Sequence, residues 1–188
     1  RIAFVRQEEM KGTGHAMLAA EPFLGGSPFV MAFPDDIFTG EPPLSKQLID
    51  VYNRTGRSVL ALFQETGDVS RYGVAQIRRE GETLLVTGMV EKPAPGTEPS
   101  KLVSYGRFLV TPEVFPHLRR RIQSFEGKEF YHVEGLNELA KAGRLAGHIY
   151  TNPRLDTGEP FGYVQAILEY ALSQPNGAMT CWPTDRKS

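Results

Sequence analysis

Residues 28–37 read Pro-Phe-Val-Met-Ala-Phe-Pro-Asp-Asp-Ile, an apolar run closed at both ends by proline and followed at once by two carboxylates. An apolar run this short, with no polar alternation, is the pattern of a strand covered on both faces, as in α/β sheets. Asp35 and Asp36 then stand just past its carboxyl end, the edge at which open α/β sheets bind ligands. Two hard oxygen donors there suit Mg²⁺ escorting a phosphate. A helix cap or a polar turn would use the same residues.

The rest of the chain alternates in the same way. Residues 1–7 read as a strand, and Gly12-Thr13-Gly14 opens a helix carrying Ala16, Met17, Ala19, Ala20 and Phe23. A helix over residues 44–54 places Leu48, Ile49 and Tyr52 on one face and ends at Gly56, before a strand at 58–63. Two β-rich runs joined by Glu80-Gly81-Glu82 read as a hairpin that delivers Val90-Glu91-Lys92-Pro93. A strand at 102–110, helices near 112–122 and 133–142, a strand at 146–150 and a helix at 161–172 complete the pattern. The fold class is therefore α/β, with a mostly parallel sheet that includes an antiparallel hairpin. Residues 1–174 form one domain, and 175–188 lack periodicity and read as a loose tail.

A net charge of -1 gives no electrostatic case for a nucleic-acid or anionic-membrane partner. Cys181 is the only cysteine, so an intramolecular disulfide is excluded. No apolar run approaches the roughly 20 residues that cross a bilayer, and a cytoplasmic protein is expected. The chain opens on Arg1, inside a strand-like run, so a fragment of a longer protein is expected.

Four polar elements fall at strand ends or turns: Asp35 with Asp36, Gly73, Glu91 with Lys92, and Asp156. Strand ends of one sheet can line a single cleft. Asp35 and Asp156 can share a Mg²⁺, Lys92 can hold a phosphate, and Glu91 can accept hydrogen bonds from sugar hydroxyls. Gly73 allows a ligand to approach the backbone. A solvated Glu91–Lys92 pair and an Asp156 cap are the plainer alternatives. His15, His117, His132 and His148 show no metal-ligand spacing, and there is no Gly-x-Ser-x-Gly or Walker loop.

Together, Phe4-Val5-Arg6-Gln7, Gly12 to Ala16, Pro34-Asp35-Asp36, Arg71 to Val74, Val90 to Pro93, Gly106-Arg107-Phe108, Asp156-Thr157-Gly158 and Gly162-Tyr163 resemble the sugar-1-phosphate nucleotidylyltransferases. The resemblance is strongest to the bacterial members that act on UTP and glucose 1-phosphate. It implies a Rossmann-like three-layer nucleotidyltransferase sheet, and uridylyl transfer giving UDP-glucose and pyrophosphate. By the same resemblance Gln7 and the Gly12 amide read the base, Gly73, Glu91 and Lys92 hold the sugar phosphate, and Asp35 and Asp156 bind Mg²⁺. Lys92 and Asp35 are the catalytic candidates, and Asp36, the neighbour of the metal ligand, is assigned no role. Thymidylyl or other nucleotidyl transfer, a non-catalytic nucleotide-sugar binding module and a homo-oligomer stay open.

Two departures accompany the resemblance. Glu129-Phe130-Tyr131-His132-Val133-Glu134 replaces a family run of different composition, and no site residue is assigned there. The family's amino-terminal Gly-rich loop, with its basic residue for the triphosphate, has no counterpart. The chain is thus expected to lack the first strands, to leave the strand before Asp35 without a neighbour, and to be inactive alone.

Overall fold

The computed structural model describes residues 2–173, which contain five helices and eight strands. In chain order these are α1 (Thr13–Leu24), β1 (Phe29–Ala32), β2 (Asp36–Phe38), α2 (Leu44–Thr55), β3 (Ser58–Gln64), β4 (Gly73–Glu80) and β5 (Thr83–Glu91). Then come β6 (Leu102–Val110), α3 (Val114–Gln123), α4 (Val133–Lys141), β7 (Leu145–Ile149), β8 (Arg154–Asp156) and α5 (Pro160–Ser173). The expected tail, with Cys181, lies outside the described residues.

Six strands form one sheet in the order β1-β6-β3-β7-β5-β4, and β2 pairs with β8 in a second, two-stranded sheet. The α/β class and the hairpin at Gly81 are found, but the sheet is not mostly parallel. Among the described residues β3–β7 is its one parallel pair, and the other pairings are antiparallel. The cause is interleaving: β1, β3, β7 and β4 run the same way, but β6 enters between β1 and β3 and β5 enters between β7 and β4. Alternation in the sequence reports strand direction, not which strands become neighbours.

Strand β3 is the covered centre. Its Leu60 and Leu62 face one cluster with Met17, Phe108, Leu118, Leu136 and Leu139, drawn partly from α1, α3 and α4. Val59, Ala61 and Phe63 face the other cluster, with Leu44, Leu48 and Val51 of α2. The period of two in side-chain direction thus builds three layers, helices on both faces of a sheet. Burial of such side chains contributes on the order of 1.5–3 kcal/mol each.

Strand β1 is the strand before Asp35, expected to be left without one neighbour. Phe29 and Met31 pack on the first cluster and Val30 on the second, so both faces are covered. Among the described residues, however, it pairs with β6 alone, and it is half-buried at the edge of the sheet. Residues 2–7 are not a strand: Ile2 is 86% and Phe4 95% exposed. Apolar alternation makes a strand only where another edge pairs with it, and none of the described residues does. Helix α5 forms as expected, but only Ala166 is buried along it, and Val164, Ile167 and Leu168 are exposed. No helix of the described residues is long and apolar enough to cross a membrane.

Helices α3 and α4 cross at Gly135, where a Cβ would lie 2.7 Å from Val114 Cγ2 and 2.8 Å from Leu118 Cδ2. Gly135→Val should therefore overpack this contact and lower stability by about 1–3 kcal/mol in a urea titration. An unchanged midpoint would show that the two helices do not meet this closely.

Candidate functional site

Three strand ends meet on one edge of the sheet. In the β4–β5 hairpin Gly73 is paired with Glu91, and the start of β4 also pairs with β6, Gly73 opposite Ser104. A cavity of about 400 Å³ opens there, lined by Asp35, Asp36, Gly73, Glu91 and Lys92, with Tyr72, Ser104, Arg154 and His132 among its further walls. The expected gathering of Asp35, Gly73, Glu91 and Lys92 into one cleft is what the structure shows. Asp156 is not part of the lining, but it sits beside it as the register partner of Asp36.

Asp36 is a structural residue. Only 7% exposed, it accepts a hydrogen bond from the Gly106 amide at 2.8 Å and pairs with the guanidinium of Arg154. Arg154 in turn donates to Asp156 Oδ2 at 2.9 Å and stacks over the Tyr105 ring, 3.8 Å from its centroid. A Cβ on Gly106 would fall 2.7 Å from Asp36 Oδ2, so the carboxylate approaches this closely only because residue 106 has no side chain. Pairing and hydrogen bonding of this kind are what make a buried carboxylate tolerable.

Asp35 does different work. Its backbone carbonyl accepts from the Thr157 amide at 2.8 Å and from the Thr157 hydroxyl at 3.0 Å, which pins it to the turn after β8. Its exposed carboxylate carries no hydrogen bond among the described residues. The position of a Cβ on Gly158 is 3.1 Å from Asp35 Oδ2 and 3.2 Å from Asp156 Oδ1, so the two carboxylates converge on one small volume. No group of three or more metal-ligating side chains occurs among the described residues. Asp156 Oδ1 accepts from the Gly158 amide at 2.9 Å and its Oδ2 from Arg154, which leaves each oxygen a further lone pair. The two carboxylates therefore fit Mg²⁺, which commonly takes one or two carboxylates and fills its other positions from water and phosphate.

Glu91 and Lys92 face the cavity at a cost. Burial pushes the Glu91 carboxyl above its ordinary value, against the opposing pull of the Lys92 ammonium. Lys92 adopts φ 47°, the left-handed region that favours glycine, and its amide donates to Tyr72 carbonyl at 3.0 Å. A Cβ on Gly73 would sit 3.0 Å from Glu91 Oε2, so a glycine keeps that oxygen open to the cavity.

Gln7 and Gly12 stand apart from the cavity, at the start of α1. Gln7 Nε2 donates to Gly12 carbonyl at 3.1 Å and meets His15 Nδ1 at 3.0 Å. Because a carbonyl only accepts, the nitrogen of the Gln7 amide faces it and Oε1 is left for other partners. Gly12, at φ 91°, packs so tightly on residue 130 that a Cβ would lie 2.7 Å from Phe130 carbonyl oxygen.

The segment 129–134, to which sequence reasoning assigned no site residue, does contribute. His132 and Val133 line the cavity, and Phe130 is core. Arg154 was also passed over, although its spacing of two from Asp156 on a strand puts both side chains on one face.

A family model for nucleotidyl transferases matches residues 1–173. The UTP--glucose-1-phosphate uridylyltransferase of Staphylococcus epidermidis is 39% identical over 177 residues, which are 93% of this chain and 61% of that protein. The chain therefore spans about three fifths of that relative's length. Among solved structures, an apo-UDP-glucose pyrophosphorylase aligns with TM-score 0.80 at 31% identity, covering 89% of this chain and 63% of that one. A UDP-glucose pyrophosphorylase complexed with UDP-glucose aligns with TM-score 0.81 at 30% identity, covering 92% and 66%.

Two outcomes test this geometry. Because the folded chain holds the Glu91 proton more tightly than an ordinary glutamate with a value of 4.5, stability falls as pH rises from that value through the raised one, and stays lower above it. Glu91→Gln should be more stable than the parent at pH 7 and equal to it below the ordinary glutamate range; a parallel pair of pH–stability curves would contradict the burial of this carboxyl. Lys92→Gly should relieve the left-handed strain and raise stability by about 1 kcal/mol in denaturant titration. A loss of stability would mean that the backbone there is unstrained.

Proposed function

The chain belongs to the nucleotidyl transferase family, and we propose from that premise that its protein transfers a uridylyl group from UTP to glucose 1-phosphate, giving UDP-glucose and pyrophosphate. The observation that carries this reading is the cavity in which Asp35, Gly73, Glu91 and Lys92 face one another.

Each residue has a part that its chemistry supports. Glu91, an acceptor when ionised, takes hydrogen bonds from sugar hydroxyls, and Gly73 leaves room for the sugar beside it. The Lys92 ammonium meets the phosphate of glucose 1-phosphate as a point charge. Gln7 Oε1 and the Gly12 N–H form an acceptor and a donor, which complements the N3–H and a carbonyl of uracil. Asp35 and Asp156 would hold Mg²⁺, which when bound supplies neutralisation of phosphate charge.

In the transfer a phosphate oxygen of glucose 1-phosphate attacks the α-phosphorus of UTP. The new O–P bond forms as the bond from the α-phosphorus to the α,β-bridging oxygen breaks, and pyrophosphate leaves with that oxygen. Such a step needs positioning and charge stabilisation, with no enzyme nucleophile. Substrates and product of this kind support a part in carbohydrate metabolism, and the need for UTP supports a cytoplasmic setting.

Calorimetry with glucose 1-phosphate tests the sugar-phosphate half on this chain, and pyrophosphate release from UTP tests turnover in the whole protein. Lys92→Ala should weaken glucose 1-phosphate binding at least about tenfold, the order of one charged hydrogen bond. Asp35→Asn should lower turnover and raise the Mg²⁺ concentration it requires. Absence of glucose 1-phosphate binding by the unsubstituted chain would overturn the reading, and preference for dTTP over UTP would reassign it to thymidylyl transfer.

A further inference from the structure

His132 has no part in the functional reading above, yet it is a buried imidazole at the wall of the candidate cavity. It is 8% exposed, between the rings of Phe33 and Phe108, whose centroids lie 5.6 and 4.8 Å from its own. Its position is fixed by Thr13, which belongs to the Gly12–Gly14 turn that opens α1. The His132 backbone amide donates to Thr13 Oγ1 at 3.1 Å, and the same hydroxyl meets His132 Nδ1 at 2.9 Å.

These two contacts assign the tautomer. A threonine hydroxyl has one proton to donate and lone pairs with which to accept. Thr13 Oγ1 already accepts from the His132 amide, and among the described residues its own proton has one acceptor in reach, Nδ1. Were Nδ1 protonated, the Thr13 proton would have no partner in a half-buried setting, at a cost of about 1–3 kcal/mol. Nδ1 is therefore the acceptor, and the neutral ring carries its proton on Nε2. Burial lowers the imidazole to about 4, so the ring is neutral at pH 7.

The Nε2–H has no protein acceptor among the described residues, while His132 borders the cavity shared with Glu91 and Lys92. A donor without an acceptor in a site that closes around a ligand is satisfied by the ligand or by water. We infer that His132, held as its Nε2–H tautomer by Thr13, donates a hydrogen bond to an acceptor oxygen of the sugar phosphate bound in this cavity. The inference rests on the sugar-phosphate reading of the cavity and adds a binding residue to it. The position of that donor is set by Thr13, one residue from Gly12, so the turn proposed to read the base also orients a group on the sugar.

The test combines histidine ¹⁵N spectra with glucose 1-phosphate calorimetry on the unsubstituted chain, His132→Phe, His132→Gln and Thr13→Val. The resonances lost in His132→Gln identify the residue. The unsubstituted chain should show the Nε2–H pattern at pH 7, and glucose 1-phosphate should shift the Nε2 signal. His132→Phe should bind about tenfold more weakly, His132→Gln should recover part of that loss, and Thr13→Val should mix the tautomers and weaken binding severalfold. If His132→Phe fails to fold, the spectra of the unsubstituted chain decide alone. A Nδ1–H pattern, an Nε2 signal unmoved by bound ligand, or full affinity in His132→Phe overturns this inference and leaves the functional reading standing. Failure of glucose 1-phosphate to bind the unsubstituted chain overturns both.

Discussion

The ion pair between Asp36 and Arg154 holds the site end of the molecule together. It joins β2 to β8, two strands of three residues each that could not stand alone as a sheet. Through the Gly106 amide the same carboxylate grips β6, and through Arg154 it reaches Asp156 and the face of Tyr105. Breaking such a pair by removing one partner leaves a buried charge, typically at a cost of about 3–5 kcal/mol. The pair thereby fixes the two neighbours whose carboxylates converge near Gly158. Asp35 precedes Asp36 in the chain, and Asp156 faces it in the register. Adjacent carboxylates thus differ, one turned inward to build and one outward to the cavity.

Around that anchor the sheet contributes strand ends instead of strand faces. The paired positions Gly73, Glu91 and Ser104 come from three strands, and the turn after β5 adds Lys92. Core packing behind them, with Leu60 and Leu62 on one side of β3 and Val59 and Ala61 on the other, keeps those ends from shifting relative to one another. The tie from α1 to residues 130–132 then connects the Gln7–Gly12 region to the cavity through backbone and Thr13 contacts, without a shared wall.

Much of this was legible in the residues, and the gaps have physical causes. That Asp35, Gly73, Glu91 and Lys92 share one cavity could be anticipated because each stands at or beside a strand end, where side chains meet solvent or ligand. Helix ends, the hairpin at Gly81 and the strand at 102–110 follow from local signals. The neighbours of each strand do not: placing β6 between β1 and β3 depends on contacts far apart in sequence, and an apolar run reports covered faces, not paired edges. That is why residues 2–7, which open on an apolar run, read as a strand and form none. β2 and β8 are too short to show a period. His132 was hidden for another reason, since one histidine has no spacing and its meaning comes from Thr13, 119 residues away.

The cavity is also where the chain departs from its own best stability. Lys92 is held in a backbone conformation that suits glycine, Glu91 is partly stripped of water, and the Ser104 hydroxyl is buried with no hydrogen-bond partner among the described residues. Each departure costs free energy. Three such costs gathered around one opening are the pattern of a site shaped by what it binds. A carboxyl raised by burial gains most from a ligand that donates hydrogen bonds to it, and a cation held on a strained turn gains most from a fixed anion. A sugar phosphate has both features, which is the physical reason for proposing this cavity as its seat.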